Sequence, residues 1–213
     1  MQLRHSFRLV LLAVVASFFQ VPNQLEAQNV VFQPKSHVAI IGNALADRMQ
    51  HHAWLETYLH ALYPKNELTF RNLAFPADSL KNRQRSQSFG NADEWLTKVE
   101  ADIVLCFFGF TESFGGQAGL QAFKADLAEL IDQMRSQKYN GNSAPQLVFF
   151  SPIAHENVKR PTLPDGSQNN VNLELYTEAM QQVCAGREVQ FVDLFHPTLA
   201  LYDKAKQPLT MNG

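Results

Sequence analysis

The chain has 213 residues, a net charge of −2 at pH 7 and a hydrophobic content of 46%. This near-neutral balance gives no electrostatic basis for binding nucleic acid. Only two cysteines are present, and they lack metal-ligand or haem-attachment spacing, so we expect no metal and no cofactor.

The N-terminus has the pattern of an export signal. Arg4 and Arg8 lead into an apolar run from Leu9 to Phe19, which is too short to span a bilayer. Ala27 provides a small residue for cleavage. We therefore predict a signal peptide over residues 1–27, a mature domain over 28–213, and a periplasmic or secreted protein that leaves the membrane once the signal is removed. An uncleaved anchor is the alternative.

Short apolar runs alternate with helical patterns along the mature chain. The predicted strands are 37–41, 68–72, 102–107, 146–151 and 189–192. The predicted helices are 45–62, 92–99, 118–136, 172–185 and 196–203.

This alternation predicts parallel βαβ units in a three-layer α/β/α sandwich around a central parallel sheet. The run from Ile103 to Phe108 is apolar on both faces, as expected of a central strand covered by helices on each side. Cys106 lies within it and is predicted to be a buried free thiol. In such sheets, ligands bind beyond the C-terminal ends of the strands.

Three segments at those strand ends resemble the SGNH (GDSL) hydrolases: Gly42 to Leu45, Asn72 to Asp78, and Gly109 to Ser113. More narrowly, the stretches 47–52 and 151–157 resemble the SGNH-like N-terminal module of large secreted planctomycete proteins. The resemblance implies a flavodoxin-like esterase fold. It also implies hydrolysis of an ester bond in an acylated carbohydrate or small ester, within a chain that can carry further domains.

The family supplies a nucleophilic Ser, a Gly amide, an Asn amide and an Asp-x-x-His pair. The corresponding positions here carry Ala44 for the nucleophile, Ala77 and Thr111 for the oxyanion donors, and Asn212 for the terminal Asp. The His would fall two residues beyond Gly213, so we expect the C-terminal end of the domain to be missing. Loss of a nucleophilic Ser costs about a millionfold in turnover in a serine protease.

Five further residues in these loops are predicted to contact a ligand. Glu112 either faces the pocket with a perturbed pKa or caps the following loop, and His155 either contacts the ligand or bonds to local backbone. The predicted substrate-binding set is Gly42, Asn43, Gly109, Glu112 and His155.

Asp193 and His196 have the Asp-x-x-His spacing but come about twenty residues too early, so a displaced catalytic pair is a minor alternative. Ser79 and Ser113 lie in pocket loops, away from the first strand's turn.

The residues together predict an SGNH hydrolase-type esterase domain that has become a pseudoenzyme, with a small ester or glycan as its ligand. The alternative is a non-catalytic carbohydrate-binding or structural module of a larger exported protein.

Overall fold

The computed structural model describes residues 29–83 and 85–213. The predicted signal peptide lies outside this range. Within it, one parallel sheet has the strand order β2-β1-β3-β4-β5. Every predicted strand is confirmed to within one residue at each end. The strands are β1 His37–Gly42, β2 Thr69–Asn72, β3 Ile103–Phe107, β4 Gln146–Phe150 and β5 Gln190–Val192.

Strand β1 lies inside the sheet, where Val38 pairs with Phe70 of β2 on one side and with Ile103 of β3 on the other. The chain winds from β1 to one edge, then crosses back to β3 and continues to the opposite edge. The loops after β1 and β3 therefore diverge at a topological switch point, which is where open α/β sheets bind ligands.

Two apolar cores cover the two faces of the sheet, because successive strand residues point in opposite directions. Ala39 and Val104 face the layer that contains the third, fifth and sixth helices. Val38 and Ile103 face the layer that contains the first two helices and the segment around Phe32. The predicted three-layer arrangement is confirmed.

Seven helices flank the sheet in the described chain. They are α1 Ala44–Met49, α2 Trp54–Leu62, α3 Ala92–Lys98, α4 Phe110–Ser113, α5 Gly116–Arg135, α6 Ser167–Ala185 and α7 Phe195–Lys204.

The predicted single helix over 45–62 is wrong, because the chain forms two helices there. The backbone N–H groups of His52 and Ala53 both bond to the carbonyl of Met49, which closes α1. Ala53 then adopts a left-handed conformation with φ of 51°, which ends helical continuity before α2 begins.

Helix α6 begins at Ser167, five residues before the predicted start. The Asp165 carboxylate accepts hydrogen bonds from the backbone N–H and the hydroxyl of Ser167 at 3.0 and 2.8 Å, so it supports the first turn of a polar segment. The short helix α4 was not predicted.

Cys106 and Cys184 are both buried and free, in agreement with the prediction for Cys106. No helix within 29–83 or 85–213 has both the length and the apolar character needed to cross a membrane.

Candidate functional site

The loop after β1 is fixed to both neighbouring strands. Gly42 has a φ of 141°, and a Cβ there would lie 2.2 Å from the carbonyl oxygen of Phe107. Its own carbonyl accepts the N–H of Phe75 at 3.1 Å, and the N–H of the buried Asn43 donates to Phe107 at 3.1 Å. Only glycine fits this close approach without strain.

Ala44 is the first residue of α1 and is exposed. The side chain at the predicted nucleophile position is therefore a methyl group, which has no lone pair to attack a carbonyl carbon. Hydrogen bonds hold the backbone of this loop to its neighbours, whereas the side chain at position 44 carries no reactive atom.

The loop after β2 contains a tight turn from Phe75 to Asp78. The N–H of Asp78 donates to the carbonyl of Phe75 at 3.1 Å, Pro76 occupies the second position, and Ala77 occupies the third with φ of 67°. This is the pattern of a type II turn, whose third position favours glycine. Ala77 thus adopts a backbone conformation that glycine adopts more readily.

Glu112 joins the loops after β2 and β3. Its Oε1 accepts the N–H of Leu80 at 2.8 Å, and its Oε2 accepts the N–H of Gly109 at 2.9 Å. Burial raises the pKa of Glu112 above its ordinary value, against the opposing effect of these hydrogen bonds. Glu112 therefore combines a raised pKa with a capping role, and its contact with a ligand stays a prediction.

Thr111 also connects these two loops. Its hydroxyl donates to the carbonyl of Asp78 over a long 3.5 Å, which leaves the hydroxyl weakly held. A weakly held hydroxyl can rotate, so Thr111 retains the chemical capacity to donate to an oxyanion.

His155, in the loop after β4, is anchored to α6. Its backbone N–H and carbonyl both bond to the Asn170 side chain, at 2.7 and 2.9 Å, and its Nδ1 lies 3.0 Å from Nδ2 of Asn169. If that amide donates, the neutral ring carries its proton on Nε2. This Nε2 is buried and has no hydrogen-bond partner within the described residues.

The C-terminal segment docks on the same loop through Glu156. The carboxylate accepts the N–H of Leu209 and both the N–H and hydroxyl of Thr210, at 2.6 to 3.0 Å. Burial opposes ionisation, but these hydrogen bonds outweigh it and hold the pKa of Glu156 below its ordinary value. Gly213 packs against His155, because a Cβ built on Gly213 would lie only 2.5 Å from His155 Nε2. Asn212, which precedes Gly213, is therefore close to His155 in the structure.

Asp193 and His196 form a hydrogen-bonded pair after β5, with Oδ2 and Nδ1 2.5 Å apart. The hydrogen bond from Asp193 raises the pKa of His196 above its ordinary value. However, β5 is the edge strand, three strands from β1. At about 4.8 Å per strand this is about 14 Å from the turn that carries Ala44, too far for direct proton transfer.

The predicted site residues thus form two groups. Backbone hydrogen bonds and Glu112 bring together the loops after β1, β2 and β3, with Gly42, Asn43, Ala44, Ala77, Gly109, Thr111 and Glu112. His155 and Asn212 belong to a second group built around Glu156. The two meet where Gly109 packs against Pro152, since a Cβ at Gly109 would lie 3.2 Å from Pro152 Cδ.

A cavity of about 570 Å³ lies beside the first group, between the β2 loop, α3 and α5. Arg83 and Arg85 line it, and the sequence analysis singled out neither residue. Arg85 forms a bidentate ion pair with the buried Asp78 at 2.7 and 2.8 Å. The sequence feature that indicates them is the alternation of basic residues at positions 81, 83 and 85, which directly follows the loop at the end of β2.

Comparison with known proteins identifies the fold. Neither protein-family models nor curated protein sequences give a match. Among solved structures, a gut microbial diltiazem-metabolizing enzyme aligns with a TM-score of 0.60 and 12% identity over 83% of this chain and 40% of its own. An acetyl xylan esterase aligns with a TM-score of 0.56 and 11% identity, over 77% and 80%. The M. smegmatis aryl esterase aligns with a TM-score of 0.51 and 13% identity, over 74% and 83%.

The chain has the α/β fold of these esterases. The predicted three-layer α/β/α sandwich with a central parallel sheet is confirmed, and identities this low support the fold alone. The chain spans less than half of the diltiazem-metabolizing enzyme. Across residues 29–83 and 85–213, no group of three or more His, Cys, Asp and Glu side chains is arranged to hold a metal ion.

Proposed function

We propose that this chain is an exported SGNH-type esterase domain with little or no hydrolytic activity, which retains affinity for a small ester or acylated carbohydrate. The observation that carries the proposal is Ala44, exposed on a turn whose backbone is fixed by Gly42 and Asn43. The esterase fold of the neighbouring structures supports the ester class of ligand.

Ester hydrolysis at this position needs a hydroxyl that attacks the carbonyl carbon and a base that takes its proton. Two nearby serines are already engaged. The hydroxyl of Ser113 donates to the carbonyl of Phe110 at 2.7 Å, and that of Ser79 accepts the N–H of Asn82 at 3.0 Å. Oxyanion donors alone leave only modest acceleration over water.

The test is hydrolysis of p-nitrophenyl acetate by the purified protein and its Ala44→Ser variant. We expect no rate above the buffer background for the native protein. We also expect none for Ala44→Ser, because the paired Asp193 and His196 lie about 14 Å from this turn, too far to take the proton of a restored hydroxyl. Labelling by a fluorophosphonate probe, which reports an activated serine, should fail for both proteins.

Hydrolysis by the native protein that disappears in Thr111→Val would overturn the proposal, because it would show that the loops still assemble a working site. Rapid labelling of Ala44→Ser would contradict the expected lack of a base and would identify Ala44 as the cause of the inactivity. Thermal unfolding of both proteins serves as the folding control.

The structural-module alternative is favoured by one observation on α2. Trp54, Tyr58 and Leu62 recur every four residues and leave 77%, 68% and 57% of their surfaces exposed. An apolar stripe of this kind is more typical of a face covered by another domain. A thermal shift caused by acetylated sugars would favour the ligand-binding proposal. The absence of a thermal shift would favour the structural module.

A further inference from the structure

The cavity between the β2 loop, α3 and α5 is separate from the predicted catalytic positions. None of Ala44, Ala77, Thr111 and Asn212 lines its wall. Its volume of about 570 Å³ lies in the range of small-molecule sites. Charged residues stand in the wall beside aromatic side chains, and this combination raises the question of what the cavity binds.

Arg83 is the feature that most needs explanation. Its Nε and Nη2 are shielded from solvent and find no hydrogen-bond acceptor anywhere in 29–83 or 85–213. The guanidinium carbon lies 5.1 Å from the centre of the Phe108 ring, which contributes a cation–π contact but no acceptor atom. Burial lowers the pKa of Arg83 from its ordinary value, which reflects the poor solvation of its charge.

The carboxylates near Arg83 already accept hydrogen bonds from other donors. Asp78 is held by both arms of Arg85. Asp93 accepts the hydroxyl of Tyr139 at 2.5 Å and the amide of Gln133 at 2.8 Å. Glu112 accepts two backbone N–H groups.

The nearby Cys106 thiol cannot act as the acceptor for Arg83 either. Burial raises the pKa of the Cys106 thiol far above its ordinary value, so the thiol is neutral and offers only a weak acceptor. Within the described residues, Arg83 therefore leaves hydrogen-bonding capacity unused. A ligand that brings acceptor oxygens would complete it once the side chain turns its shielded edge toward the cavity that it lines.

We propose that this cavity binds a small carboxylate attached to a ring, with Arg83 as the carboxylate-binding residue. A guanidinium edge presents two parallel N–H groups that match the two oxygens of a carboxylate. The charges of Arg83 and Arg85 balance those of Asp78 and Asp93, so a monoanion suits the cavity better than a dianion such as phosphate.

The ring is assigned from the aromatic side chains in the same wall. Phe75 and Phe89 line the cavity with 51% and 44% of their surfaces exposed, and Trp95 stacks obliquely on Phe89 with centroids 5.1 Å apart. Arg85 lies over one face of Phe75, 4.6 Å from the ring centroid, and 5.9 Å from the centroid of Phe89. The exposed parts of these rings are left to stack on the apolar face of a sugar or on an aromatic ring. A sugar acid and an aromatic acid both present this chemistry.

The experiment measures thermal shift and calorimetric affinity for galacturonate, galactose, benzoate and inorganic phosphate. We expect stabilisation by galacturonate or benzoate, and the stronger of the two identifies the source of the carboxylate. Galactose and phosphate should give no comparable shift. Arg83→Met should weaken the binding by about tenfold or more.

Arg135→Met is the matched control, because Arg135 is an exposed arginine of α5 that does not line the cavity and donates to the carbonyl of Arg187 at 2.7 Å. It should bind like the native protein. Arg83→Met should unfold at the same or a higher temperature in the absence of ligand, since it removes an unsatisfied buried group.

Binding of phosphate as strong as that of the acids, equal losses in both variants, or no binding of either acid would each overturn the proposal. These outcomes do not depend on the p-nitrophenyl acetate assay. The proposal for this cavity and the proposed function can therefore be disproved separately.

Discussion

At the scale of one residue, Ala77 is the position where the backbone of the β2 loop is strained. Its φ of 67° lies in the left-handed region, which costs an L-residue about 1 kcal/mol or more because Cβ crowds the backbone. The turn from Phe75 to Asp78 and the bond from Thr111 to Asp78 hold it there. The surrounding contacts therefore impose a conformation that the side chain itself disfavours.

Ala77→Gly should raise the free energy of unfolding by about 0.5–1 kcal/mol, because glycine adopts this conformation without steric cost. Urea denaturation measures it. Ala125→Gly, at an exposed position inside α5, should lower stability by a similar amount and serves as the control of opposite sign. A loss of stability in Ala77→Gly would contradict the interpretation that Ala77 is strained in the native protein.

At the scale of elements, the junction between β5 and α7 is held by Asp193 and His196. The carboxylate accepts the backbone N–H of His196 at 3.1 Å and faces its ring nitrogen at 2.5 Å. Glu174 of α6 lies 3.8 Å from the other ring nitrogen. Both carboxylates favour a protonated ring at the start of a helix that packs on α6.

The raised pKa of His196 fixes the sign of its pH dependence. The stabilisation is fully present below the ordinary histidine pKa of about 6.5 and is lost as pH rises through the higher folded value. Because the ring is half-exposed, the effect should not exceed about 1 kcal/mol.

NMR titration should find the His196 pKa above its ordinary value in the native protein and lower in Asp193→Asn. His196→Gln identifies the resonance by its disappearance. An unchanged titration in Asp193→Asn would contradict the assignment of the shift to this pair.

At the scale of the whole molecule, one of the two cores encloses both thiols. Cys106 lies on the central strand and Cys184 near the end of α6, and burial raises the pKa of Cys184 to about 12. Neither thiol should react with Ellman's reagent until the protein unfolds, since the reactive form is the thiolate. In denaturant, the native-sequence protein should show two reactive thiols, and the Cys184→Ala variant should show one. Fewer than two reactive thiols in the denatured, unreduced native-sequence protein would indicate a disulfide instead.

Much of this architecture could be predicted from the sequence, because strands such as Ile103–Phe107 are apolar on both faces and have few alternatives. The break at Ala53 could not, since alanine favours helix and nothing in the local sequence marks a left-handed residue there. Arg83 was missed for a similar reason: nothing in its local sequence indicates that the nearby carboxylates bind other donors.

The placement of β1 between β2 and β3 has a consequence for how the chain folds. Val38 meets Ile103 only after the intervening segment has closed a long loop, and no neighbouring strands in the sheet are joined by a hairpin. Loop closure of this kind must precede the contacts that stabilise it, so folding should be slower than for a helical protein of equal length. The nascent chain therefore remains unfolded for a comparatively long interval, during which its apolar strands are open to chaperones and to aggregation.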